Sequence, residues 1–164
     1  MGLIMKFYAA DPEMVVTLCK RMASVQTIEE ASLIWEQLDS YPNANFSLNF
    51  TIPDHTDALC QAMIVEGLAV SPSSLDLFGT PLWDDEAASV HHLPHTFPLA
   101  LTQASESSIQ RIAERWVNSI WPAKSKATDA AIASQNALKA LSDLRAVSSF
   151  ALEHRQSLLL CFVW

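Results

Sequence analysis

Residues 44–52 carry the clearest pattern in the chain, with Ala44, Phe46, Leu48, Phe50 and Ile52 alternating with Asn45, Ser47, Asn49 and Thr51. A period of two sends alternate side chains to opposite sides of a strand, so this segment predicts one core face and one neutral, polar face. Near the chain ends the alternation vanishes. Residues 2–9 are apolar on both faces apart from Lys6, and residues 157–164 are apolar throughout after Ser157. Strands covered on both sides read this way. The two segments are therefore expected to pair with each other in the middle of a sheet.

Between them the period lengthens to that of a helix. Asp11-Pro12-Glu13 supplies a capping acid, a proline at the first helical position and an acid in the first turn, followed by the stripe Val15, Leu18, Cys19 and Met22. Thr27 and Glu30 form a capping box for a second helix, whose expected buried stripe is Ile28, Ala31, Ile34, Trp35 and Leu38. A third helix is expected over residues 54–66, with Leu59, Cys60, Met63 and Ile64 inward and Gly67 as its stop. Residues 68–70 then suggest a short strand. Ile109, Ile112, Ala113, Trp116, Val117 and Ile120 mark an amphipathic helix over 105–121, halted by Pro122. A long helix over 128–154 follows, its stripe running through Ala137, Leu138, Leu141, Leu144, Val147 and Ala151.

Residues 69–104 show no clean helical period and hold Pro72, Pro81, Pro94, Pro98 and Gly79. Loops are expected there, around a short helix over 73–78 and a strand over 89–93. Irregular stretches of that length are uncommon in compact domains and tend to be functional. The whole chain, residues 1–164, is thus read as a single α+β domain. Its sheet is mixed or antiparallel, with about four to six strands and packed helices.

Composition narrows the function classes. With 164 residues, half of them hydrophobic and only three of them glycine, the chain can fill a core without a disulfide or structural metal. Cys19, Cys60 and Cys161 are odd in number and lie among apolar neighbours, as reduced core thiols of a cytoplasmic protein do. Leu3-Ile4-Met5 is too short for a signal-peptide core, and no apolar run approaches the ~20 residues of a spanning helix, so no membrane association is expected. The formal charge is −8, and residues 1–82 account for most of it with three basic against ten acidic side chains. That sign disfavours nucleic acid and suits a basic protein partner. Only three glycines exclude the phosphate-cradling and dinucleotide loops, and no nucleophile elbow is present.

Candidate chemistry gathers at Trp83-Asp84-Asp85-Glu86, with His91, His92 and His95 close behind. Asp84, Asp85, His91 and His95 form the donor set of one alternative, a metal-binding protein or metal-assisted hydrolase holding a divalent metal such as zinc. Adjacent residues on a strand point to opposite faces, so only one of His91 and His92 can join His95. The other reading makes Trp83 and Phe97 aromatic anchors, with Asp84, Asp85 and Glu86 as the charged rim of a protein-binding surface. Cys60 with His55 could be drawn as a nucleophile and base, but Cys60 falls on the expected buried face of its helix. Trp164 and its strand suggest a homodimer contact.

Gly2-Leu3-Ile4-Met5, then Asp11-Pro12-Glu13-Met14, and a closing long helix with an apolar strand over 141–164 resemble small bacterial cytosolic proteins of unknown function. An Asp-Lys-Ala-Trp-His type segment associated with that group has no counterpart here. The resemblance implies an α+β fold and no established activity. Some small acidic bacterial proteins of this size are immunity proteins that neutralise toxins. Together these observations lead to the expectation of a non-enzymatic protein-interaction domain with no cofactor.

Overall fold

The computed structural model describes residues 4–46, 53–71, 77–86, 88–120 and 127–163. Its strands are β1 (Ile4–Ala10), β2 (Asn43–Asn45), β3 (Trp83–Asp84), β4 (Ala88–His92) and β5 (Ser157–Val163), in one antiparallel sheet of order β2-β1-β5-β4-β3. β5 occupies the centre. It pairs with β1 from Ile4↔Val163 to Ala10↔Ser157, and with β4 from Ala88↔Val163 to His92↔Leu159. The two doubly apolar segments therefore meet as their pattern predicts.

Strand alternation sorts the core into two layers. Met5, Phe7, Ala9, Leu158 and Leu160 face the larger layer, formed by α3 (Pro53–Val65), α4 (Thr96–Gln103), α5 (Glu106–Ile120) and α6 (Ala127–Glu153). Tyr8, Ala10, Val90, Leu159 and Cys161 face the smaller one, formed by α1 (Pro12–Ser24) and α2 (Ile28–Asp39). The fold is α+β, and the helix ends follow the sequence. Asp11 accepts from the backbone of Glu13 at 2.8 Å and Met14 at 3.3 Å, and Thr27 accepts from Glu30 at 3.2 Å. Gly67, at φ +83°, takes the left-handed turn that ends α3.

Trp116 joins two elements of the larger layer. It is almost fully buried, its indole Nε1 donates to the His55 carbonyl at 2.6 Å, and its ring lies 5.8 Å from that of Phe46. α6 presents Ala133, Ala137, Leu141, Leu144, Val147 and Ala151 to the core, with Leu138 half-buried beside them. Alanines at both ends of this stripe flank Leu141 and Leu144, which lets a long helix lie close to its neighbours.

Three expectations change. Ile28 is 86% exposed, because it is the first residue of α2 and the buried positions begin nearly two turns later, at Ile34 and Leu38. Residues 68–70 are not a strand: Leu68 donates back to Met63, and Val70 turns back onto Leu68. The segment 69–104 is less irregular than its prolines suggest, because α4 occupies Thr96–Gln103. Pro98 fits there because it stands in the first turn, where a backbone N–H has no helical acceptor. The alternating segment is described only through Phe46, with Ala44 and Phe46 buried and Asn45 exposed as expected, while residues 47–52 lie outside the described residues. Of the short helix expected over 73–78, Leu77 and Phe78 are helical and the remainder also lies outside them.

Candidate functional site

The segment that concentrates acids and histidines forms the outer edge of the sheet. Trp83 pairs with Val90 and Asp84 with Ser89, while Asp85 donates to the Ala88 carbonyl at 2.9 Å to close the hairpin. Directly opposed residues share a face. Asp84, Ser89 and His91 therefore lie toward the larger helical layer, whereas Trp83 and Val90 lie toward α1 and α2. Asp84, Asp85 and Glu86 are exposed, and Trp83 is half-buried against the smaller core.

His91 is held on all sides. Its Nδ1 lies 3.4 Å from the Phe78 carbonyl, which can only accept, so the proton sits on Nδ1. Nε2 is then free to accept from the Ser89 hydroxyl at 3.2 Å. The rings of Phe78 and Phe162 stand 5.8 Å from the imidazole, the latter nearly perpendicular at 88°. Burial lowers the His91 pKa, against the opposing pull of the Phe78 carbonyl and the Asp84 carboxylate. A hydroxyl on a neutral imidazole is the pairing a nucleophile and base require. Ser89 is only 3% exposed, however, so this pair seals the sheet edge and offers no reachable oxygen.

The remaining histidines are scattered. His92 is exposed on the opposite face of β4, as strand alternation requires, and His95 is exposed at the turn before α4 without making a side-chain cap. His55 sits on α3, and His154 stacks on Phe150 at 3.9 Å near the end of α6. Among the described residues no three His, Cys, Asp or Glu side chains converge on one point. The set Asp84, Asp85, His91 and His95 is thus not brought together: His91 turns inward to Ser89, while the other three point into solvent.

Phe97 is a correction. It is 2% exposed, because the first turn of α4 directs it into the larger core, so it is no anchor for a partner. The three cysteines are buried free thiols. Burial, reinforced by Asp57, pushes Cys60 up to about 11, and a nucleophilic thiolate there is unavailable at neutral pH. β5 has both edges taken by β1 and β4, so it cannot pair with a second copy, and Trp164 lies outside the described residues. No described helix is long and apolar enough to cross a membrane.

The structure adds a feature that sequence reasoning passed over. Lys6 projects from β1 toward α2, where its Nζ meets both Asp39 oxygens at 2.6 and 2.9 Å and lies 5.0 Å from the centre of the Trp35 ring. The Tyr8 hydroxyl reaches the same carboxylate at 3.4 Å, and burial holds that phenol far above its usual range. This clamp fixes an acid-bearing helix. Outward from it stand Glu29, Glu30 and Glu36 on α2 and Glu13 on α1, with Met14, Ile28 and Leu33 exposed among them. A cleft of about 260 Å³, lined by Arg21, Ser24, Val25, Glu30, Leu33 and Ile34, opens between the two helices. Lys6 as the lone charge in an apolar strand was the available signal, but its partner stands 33 residues away.

The chain matches no known family model and no curated protein. Among solved structures it is similar to the crystal structure of a protein of unknown function, YfbM from Escherichia coli. The two are 15% identical, with 98% of this chain and 99% of that chain covered and a TM-score of 0.44.

Proposed function

We propose that the protein is a non-catalytic cytoplasmic module that binds a basic protein through the α1–α2 face and the adjoining sheet edge. One observation carries this reading: Trp83 lies on the same side of the sheet as α1 and α2. α1 crosses β4, and Trp83 is the cross-strand neighbour of Val90 on that strand. A half-buried indole and the exposed carboxylates of Glu13, Glu29, Glu30 and Glu36 thus lie on the same side of the sheet. Asp84, Asp85 and Glu86 carry the negative charge around the edge. Aromatic anchors with a charged rim are the usual anatomy of a protein-binding patch, and the acids would speed encounter with a basic partner. An immunity protein that neutralises a basic toxin is one form such a module takes.

Capture from native lysate, quantified for the wild type, Trp83→Ala and the triple reversal Glu29→Lys/Glu30→Lys/Glu36→Lys, tests the proposal. The expected result is a set of basic proteins retained by the wild type, weakened by Trp83→Ala, lost with the reversal, and released as salt rises. Equal recovery of the same proteins by the wild type and the reversal would overturn it.

A further inference from the structure

The smaller core layer holds two thiols, and they come from elements that face each other. On β5, Cys161 is directly opposed to Lys6 on β1 and to Val90 on β4, and the pleat points it toward α1 and α2. On α1, Val15, Leu18 and Cys19 stand at i, i+3 and i+4, the face that the helix turns to the sheet beneath it. The two side chains meet there: the thiols of Cys161 and Cys19 share a hydrogen bond, at 2% and 1% exposure. Both also act on the Tyr8 phenol beside them. Cys60, the third cysteine, lies in the larger layer on the other side of the sheet.

The pair is chemically unequal. Cys161 donates to Cys19 and holds that thiol below its ordinary range, while the same bond and burial push Cys161 up. Cys19 is thus the better thiolate and Cys161 the resolving partner. Access follows from how α1 is held. Of its 13 residues only Val15, Leu18 and Cys19 are buried, so lifting the helix from the sheet exposes little apolar area and is a low-cost local opening. Such an opening brings Cys19 to solvent while Cys161 stays in the central strand, and closing returns one to the other. Hydrogen peroxide is small enough to reach Cys19 during a brief opening.

We propose that Cys19 and Cys161 form a reversible disulfide that locks α1 onto the central strand when the protein meets a peroxide. In the first step the Cys19 thiolate attacks one oxygen of hydrogen peroxide. The S–O bond forms, the O–O bond breaks, and the departing hydroxide takes up the thiol proton as water. Cys19 is then a sulfenic acid. The Cys161 sulfur attacks it, the S–S bond forms, the S–O bond breaks, and the hydroxyl leaves as water with the Cys161 proton. Two thiols have given up two electrons, and one peroxide has become two waters. A dithiol reductant reverses the lock. The link closes a loop from residue 19 to residue 161, nearly the whole chain, and so removes entropy from the unfolded state. It concerns how firmly α1 is held, and stands whether or not the α1–α2 face binds a basic protein.

The reduced wild type, treated with hydrogen peroxide at neutral pH, alkylated in denaturant and mapped by peptide mass spectrometry, tests the proposal. The expected product is a cross-linked Cys19–Cys161 peptide, formed at least about tenfold faster than Cys60 is consumed and removed by dithiothreitol. Oxidation should raise Tm by on the order of 10 °C, and the reductant should return it. Cys161→Ala leaves Cys19 without a resolving thiol, so it should show no such rise and should accumulate a sulfenic acid at Cys19 that dimedone traps. The wild type reads the link directly, so the result does not depend on a core variant folding. Three intact thiols after peroxide, Cys60 lost as fast as the other two, Cys19 oxidised without a link to Cys161, or an unchanged Tm in the linked protein would overturn it.

Discussion

Replacing Asp39 with alanine would orphan the Lys6 ammonium, and its cost follows from how unequally the two partners are buried. The Lys6 side chain is 12% exposed and that of Asp39 44% exposed, with both carboxylate oxygens within 2.9 Å of Nζ. A wholly exposed pair contributes about 0–1 kcal/mol, while breaking a fully buried one costs about 3–5 kcal/mol because a charge is left without compensation. Solvent reaches Asp39 but scarcely reaches Lys6, so Asp39→Ala is expected to cost about 2 kcal/mol, or about 4–8 °C in Tm for a chain of this size. Lys6→Met removes the charge and keeps the stem packed beneath Trp35, at an expected cost below about 1 kcal/mol. The double variant should then resemble Lys6→Met, which makes the pair non-additive by about 2 kcal/mol. Urea unfolding at pH 7, followed by tryptophan fluorescence and circular dichroism, reads all four proteins of the cycle. An Asp39→Ala protein within about 0.5 kcal/mol of wild type, or a strictly additive double variant, would refute the argument that an orphaned lysine sets the cost.

Two further outcomes follow from named contacts. The folded pKa of His91 lies below its unfolded value of about 6.5, so the unfolded chain binds more protons between those two values. The stability contributed by neutral His91 is therefore complete above about pH 6.5 and is lost as pH falls through the folded pKa. The urea midpoint should drop on acidification, and His91→Gln should flatten that drop; identical profiles for both proteins would contradict it. Trp116→Phe removes the donor to the His55 carbonyl and part of a buried ring, with an expected loss of about 2–3 kcal/mol. A denaturation midpoint within error of wild type would show that this bond is not coupled to folding.

Patterns with a fixed local period were legible, and contacts closed by distant residues were not. Residues 2–9 and 157–164 announce a central strand pair because burial on both faces leaves no polar positions. The Asp11 and Thr27 caps are readable because a capping side chain acts within three residues. The α4 helix is hidden in the sequence because Pro94 and Pro98 read as breakers, although proline is tolerated at the start of a helix. That reading carries Phe97 onto the surface, where an aromatic in a loop would belong. Alternation correctly separated His91 from His92, but it could not show that the Phe78 carbonyl, 13 residues earlier in the chain, locks the inward ring. The Glu66 grip on Arg111 and Arg115 spans 45 and 49 residues, and only the four-residue spacing of the two arginines hints at it in the sequence.

The acids of the sheet edge and those of α2 do not carry equal weight for function. β3 is a two-residue strand at the rim of the sheet, with its outer backbone groups unpaired by any described strand. Short edge strands bearing charge are a general device against edge-to-edge aggregation, so Asp84, Asp85 and Glu86 have a sufficient structural reason to be there. Glu29 and Glu30 stand in the first turn of α2, where the helix dipole favours acids, but that reason does not reach Glu36. Helix α2 exposes no sheet edge for Glu36 to protect. Nor does stability explain Ile28 at 86% and Leu33 at 57% exposure beside them, since exposed aliphatics gain little from folding. Glu36 beside exposed Ile28 and Leu33 is the part of this surface that supports the proposed partner-binding face. Reversal of the α2 acids is accordingly the decisive perturbation, whereas reversal at 84–86 would confound lost binding with a newly adhesive edge.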